Sequence, residues 1–272
     1  MKKYFLFSVA AAFFSLPAFS QAVTGQTAKV KSNKVAAGYK SSSPASGSII
    51  WTSQSAVARQ HADIAINHML NIEMPQAYAH FVEAVEADPN FTMAQAILSN
   101  LSFGESKKKY AEAALKSSAN KSAGEKLFVS LLNEKNTPEE DAATWAKLFE
   151  MFPNEKMINT YYVYTRLTPE ERFTAAEEML RKNPDAGWMH NIMGYYYMND
   201  KKDMEKAKAS FEKYLAYYPD GYNPYDSMGE FYLISGDKAN AEKYYSMALE
   251  KYPFSNSARE ALEGIKAGRE KE

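Results

Sequence analysis

Residues 187–255 read as one unit written twice. The second copy carries Tyr225, Met228, Gly229 and Tyr232, then Ala241, Tyr245 and Ala248, then Pro253. The first carries His190, Met193, Gly194 and Tyr197, then Ala207, Phe211 and Tyr214, then Pro219. The two glycines lie 35 residues apart and the two prolines 34. A fixed period holding two apolar patterns of helical spacing predicts stacked helix pairs, because a single pair cannot bury its own apolar face. Strand-type alternation competes nowhere along the chain. The expected fold class is all-α, an α-solenoid.

At nearly every position these residues follow the pattern W-x2-L-G-x2-Y … A-x3-F … P. The chain thus resembles the tetratricopeptide repeat family, in the manner of its secreted or periplasmic bacterial members. A third copy hangs on Pro89, with Ala77, Phe81 and Ala84 before it at the same spacing. Its first helix, residues 55–71, sets His61, Ile64, Ala65 and His68 where the family carries Trp, Leu, Gly and Tyr. Residues 58–91, 187–221 and 222–255 are the clearest repeats. Between them the consensus fades, and further pairs are expected at 91–103 with 105–118, 121–134 with 138–152, and 157–166 with 169–182. Thr137-Pro138-Glu139-Glu140 and Thr168-Pro169-Glu170-Glu171 each read as a helix start, with a cap, a proline in the first turn and acids against the dipole. Residues 255–269 look like the polar capping helix that solenoids need. The expectation for residues 55–272 is therefore about six helix-turn-helix pairs with a C-terminal capping helix.

The first 20 residues read as a cleaved signal peptide: Lys2 and Lys3, an apolar run over 5–14, then Ala18-Phe19-Ser20 before Gln21. The run is about half of what a spanning helix needs, and no later stretch is a transmembrane segment. The sequence holds no cysteine, which removes disulfides and the lipid-modified cysteine of a lipoprotein. Export to the periplasm or the medium, without a lipid anchor, is expected. Residues 21–54 are rich in Ser, Ala, Gly and Lys, with Lys29, Lys31, Lys34 and Lys40 and no acid before Asp63. That composition predicts a disordered basic tail, either a spacer or an arm for an acidic partner. A formal net charge of -1, with Lys and Glu interspersed, argues against nucleic acid as a partner.

The resemblance also implies where a ligand would lie. In this family repeat positions 4, 7, 8 and 11 pack on the second helix, while positions 2, 5, 9 and 12 line a concave groove that holds a peptide or a partner's helix. Carried over, the groove set is Trp188, Asn191, Tyr195 and Met198 in one repeat and Asn223, Asp226, Glu230 and Leu233 in the next. Tyr161 and Tyr164 join from the pair before. Aromatic anchors bury much area at little rotamer cost, although the same rings also suit packing between repeats. Asp226 and Glu230 stand where capture of a C-terminal carboxylate would want cations, so a ligand with basic or amide groups fits better.

Chemistry-bearing constellations are thin. Thiol catalysis is excluded, no glycine-rich loop cradles phosphate, and the acid pairs sit at helix starts or on solvated faces. His61 and His68 share a helix face seven residues apart, but no HExxH-type pair accompanies them, so packing is the expected role and no metal or cofactor is expected. His80 with Glu83 reads as a surface pair one turn apart. The functional expectation is a non-enzymatic scaffold in the cell envelope that binds a protein or peptide partner. The alternative is a structural subunit that associates with copies of itself as a homo-oligomer.

Overall fold

The computed structural model describes residues 46–268. The signal peptide expected over 1–20, most of the expected tail and the end of the capping helix lie outside the described residues. Among the described residues the secondary structure is helical, with no strand. The chain divides into two compact units, one ending at Thr165 and the other beginning at Arg166.

The first unit contains α1 (Ala56–Leu70), α2 (Met74–Ala87), α3 (Thr92–Asn100), α4 (Gly104–Ser118), α5 (Ala123–Ser130), α6 (Pro138–Met151) and α7 (Lys156–Tyr164). Each helix packs on the next in the series, and α7 returns to α1. The reason is legible in α1, where Ala58, Ala62 and Ala65 form a stripe of small residues. They join Ala77, Phe81 and Ala84 of α2 in one core, and all six are fully buried. Small residues on one helix and a phenylalanine on the other let the backbones close without a void.

Residues 46–54 correct the expected extent of the disordered tail. This stretch is held across the first unit by named contacts. The Asn154 amide donates to the Gly47 carbonyl at 3.1 Å, Ile49 is buried in the core, and the Trp51 ring meets Phe128 edge-on at 5.1 Å. Thr52 donates both its N–H and its hydroxyl to Glu125, each at 2.9 Å. Glu125 is buried and also accepts from Ser122 as the α5 capping box. The physical reason is the pair Ile49 and Trp51, on the core side of Ile50, whose burial outweighs the polar composition around it.

The second unit runs α8 (Pro169–Lys182), α9 (Met189–Tyr195), a π-helical segment (Tyr196–Lys201), α10 (Met204–Tyr217), α11 (Asn223–Ile234), α12 (Lys238–Lys251) and α13 (Asn256–Lys266). Neighbours in sequence pack on one another throughout. The fourth pair expected from sequence has α7 in the first unit and α8 in the second. Both threonine-proline starts form full capping boxes. Glu140 and Glu171 reach back to the backbone of Thr137 and Thr168 at 2.7 and 3.0 Å, and each threonine hydroxyl accepts from the glutamate's own N–H. The consensus positions Ala207, Phe211, Ala241, Tyr245 and Ala248 are buried, as the repeat requires.

The unequal glycine and proline intervals have a local cause. From Gly194 to Lys202 is one residue longer than from Gly229 to Gly236, and Lys202 and Gly236 both adopt positive φ, 56° and 83°, at the helix end. One additional residue in a helix that must end on the same turn widens that turn to i→i+5 bonding, and the π segment 196–201 lies in this interval. Downstream the register is restored: Asp203 and Asp237, 34 residues apart, cap α10 and α12 by accepting from Lys206 and Asn240.

Candidate partner-binding surface

In the second unit successive repeats place α9, α11 and α13 side chains within reach of one another. The Tyr195 hydroxyl donates to Glu230 Oε2 at 2.8 Å, from α9 to α11. Ser227 donates to the Asn191 side-chain oxygen at 2.9 Å. Ser257 of α13 donates to Asp226 at 2.7 Å. Burial raises the Tyr195 phenol well above its ordinary value, and the neighbouring Glu230 charge adds to this, so the hydroxyl remains a donor.

The expected groove residues fall into two sets in this unit. Trp188, Asn191, Met198 and Asn223 are buried within the chain itself. The Trp188 ring lies 5.9 Å from Tyr217, Met198 belongs to the core with Phe211 and Phe231, and Asn223 donates to the Tyr214 hydroxyl at 3.0 Å. Tyr195, Asp226, Glu230 and Leu233 are half-buried and reach the surface. Tyr161 and Tyr164 belong to the first unit, where Tyr161 stacks on Trp145 at 4.7 Å. Burial raises both of their phenols, Tyr164 to about 12.

The first unit holds a cluster that the helical period did not reveal. Three of the chain's four histidines gather on the α1–α2 hairpin. Nδ1 of His61 and Nδ1 of His80 lie 3.0 Å apart, and Glu83 Oε2 lies 2.8 Å from the first and 3.2 Å from the second. His68 stacks on His80 with ring planes 5° apart and is itself bound to Glu73 at 2.6 Å. His80 is therefore not the surface residue its spacing to Glu83 suggested; its side chain is 12% exposed. The true neighbour of His61 lies across the hairpin, not one heptad along α1.

Residues 192–221 match the family profile described as Tetratricopeptide repeat. Several solved structures are similar to the chain. One is PilW, a type IV pilus biogenesis factor, at 16% identity and a TM-score of 0.45, with 76% of this chain and 99% of that one covered. Another is TTC0263, a thermophilic TPR protein of Thermus thermophilus, at 17% identity and a TM-score of 0.37, covering 77% and 99%. A third is MamA, at 16% identity and a TM-score of 0.36, covering 72% and 92%. No curated protein matches the sequence. The profile match falls on the repeat whose glycine, alanine, aromatic and proline positions pack as described above, so residues 192–221 are similar to a tetratricopeptide repeat within a chain whose described residues are all-α.

Proposed function

We propose that the second unit is a non-enzymatic protein-interaction module that takes a peptide or partner helix carrying basic or amide groups. The observation that supports this is the half-buried row Tyr195, Asp226 and Glu230, an aromatic ring beside two carboxylates four residues apart on one helix face. The buried Trp188, Asn191, Met198 and Asn223 hold that row in place rather than touching the ligand. A carboxylate can accept several hydrogen bonds at once, so accepting from a tyrosine does not bar an incoming lysine or amide. Charge at the rim sets selectivity and on-rate, while the tyrosine supplies contact area. Together with the signal-like N-terminus, this describes an exported scaffold of the cell envelope.

The test is fluorescence anisotropy with two amphipathic helical peptides of equal hydrophobicity, one lysine-rich and one glutamate-rich. The lysine peptide should bind, and the pair Asp226→Asn with Glu230→Gln should weaken it about 10-fold, the effect of losing about 1.4 kcal/mol of rim electrostatics. Glutamine keeps the acceptor for Tyr195, so helical content and melting should stay unchanged. Equal binding of both peptides, or no loss in the neutral variant, would remove the acidic row from the interface.

A further inference from the structure

We propose that His61, His80 and Glu83 form a binding site for one divalent transition metal of the zinc class. The three ligand atoms, two imidazole nitrogens and one carboxylate oxygen, make a triangle with sides of 3.0, 2.8 and 3.2 Å. All three atoms lie within 4.8 Å of one another. A point about 1.1 Å off the plane of that triangle lies about 2.05 Å from each corner, which is the bond length zinc takes to nitrogen and carboxylate oxygen. Tetrahedral ligands at that length stand about 3.3 Å apart, so the corners open by only a few tenths of an ångström.

The second observation is the state of the carboxylate. Glu83 Oε2 is buried from solvent, and its approaches to the two imidazoles lack the angles of a hydrogen bond. A buried carboxylate oxygen without such a bond is costly. Two imidazole nitrogens 3.0 Å apart can share at most one proton between them, so the trio is not satisfied by hydrogen bonding alone. A cation at the common point satisfies all three lone pairs together.

The surroundings fit the same reading. Glu73 stands 16 residues before Pro89, as Asp203 and Asp237 stand before Pro219 and Pro253. Those two aspartates cap their helices, whereas Glu73 makes no cap bond and instead binds His68, whose ring stacks on His80. The first repeat thus gives up a helix cap to hold His68, whose ring, stacked on His80, restricts the orientation of a ligand. Two imidazoles and one carboxylate select zinc, copper or nickel over calcium or magnesium. Three protein ligands leave a fourth position for water.

The test uses the full chain, stripped with a chelator and exchanged into chelator-free buffer. Isothermal titration with zinc chloride should give one equivalent. Cobalt chloride should give the visible d–d absorption of a tetrahedral site, and calcium chloride should give no binding. His80→Gln and Glu83→Gln should each weaken zinc about 100-fold, and His68→Gln about 10-fold, as ligand-orienting groups do. His190→Gln, the one histidine outside the cluster, should change nothing. The cobalt spectrum of the unmodified chain guards against variants that fail to fold. No stoichiometric zinc, no tetrahedral cobalt band, or full affinity in the His80→Gln, Glu83→Gln double variant would each overturn the site.

Discussion

Three glycines lie inside helices of the second unit, and one substitution should act on them with opposite signs. In an unobstructed helix interior Gly→Ala stabilises by about 1 kcal/mol, because alanine loses less backbone entropy on folding. Gly264 of α13 is such a place: an added Cβ meets nothing within 4 Å. At Gly194 the same atom lands 2.5 Å from Phe211 Cε1 and within 2.8 Å of two further ring carbons. At Gly229 the nearest atoms, in the Tyr245 ring, are 2.8 Å away. Rings cannot yield here as a lysine tip would. Phe211 is fully buried and wedged between Tyr195 and Phe231, at 5.1 and 6.2 Å between centroids. Overpacking of this kind costs about 1–3 kcal/mol. After the helix-propensity gain, Gly194→Ala should destabilise by about 2 kcal/mol and Gly229→Ala by about 1, while Gly264→Ala stabilises by up to about 1. Urea titration followed by circular dichroism, at constant m-value, reads all three as midpoint shifts. A Gly194→Ala midpoint at or above wild type would refute the close approach of α9 and α10. An equal shift at Gly194 and Gly264 would show that propensity alone decides.

Glu155 is half-covered at the start of α7, and burial, with the Asp63 charge second, pushes its carboxyl from 4.5 up to about 7. Below pH 4.5 both folded and unfolded chains hold this proton; between 4.5 and about 7 only the folded one does, so stability falls as pH rises through that window and levels off above it. The full amplitude is about 3 kcal/mol at 1.36 kcal/mol per unit, and Glu155→Gln should flatten the melting-point profile there, whereas an unchanged slope would exonerate this residue. Glu125→Ala strips the acceptor from both donors of Thr52 and from Ser122. It should cost about 3 kcal/mol and open residues 46–54 to protease, with undiminished protection counting against the strap. Lys202→Gly removes a side chain from a φ of 56°. Relief of about 1–2 kcal/mol of left-handed strain, less about 0.5–1 of glycine entropy, should leave a small gain in melting midpoint.

Much of the fold is readable because packing positions leave little choice of residue. Phe81, Phe211 and Tyr245 each fill the space over a small residue on the facing helix, so they recur at fixed distances from a proline. The threonine starts are equally local, since a capping box needs only the four residues it names. The strap was harder: Ile49-Ile50-Trp51 is an apolar signal, but its acceptor, Glu125, is 73 residues from Thr52 and looks like any first-turn acid. Nothing in a linear pattern distinguishes a cap that faces water from one that also holds a distant segment.

The two candidate sites differ in legibility for a related reason. Groove positions follow from helical period, which gives the face a residue occupies but not whether a neighbouring helix covers it. Asn191 and Asp226 share one repeat position, yet the first is buried against Ser227 and the second stays open beside Ser257. The difference lies in the next element along the chain: α9 is overlaid by a complete repeat, whereas among the described residues α11 is followed, past its own partner α12, by α13 alone. Burial along a row of repeats thus depends on distance from the end of the array, so an accessible acidic position is expected in the last repeat even where earlier copies are closed. The histidines escape the period altogether. A helix reading pairs His61 with His68 along one face, while the hairpin sets His61 against His80, and only the α1–α2 crossing decides which pair meets. That His68 nevertheless stacks on His80 means both readings converge on one cluster. The residue that completes it is Glu83, which a one-helix view assigns to solvent and which the crossing turns inward.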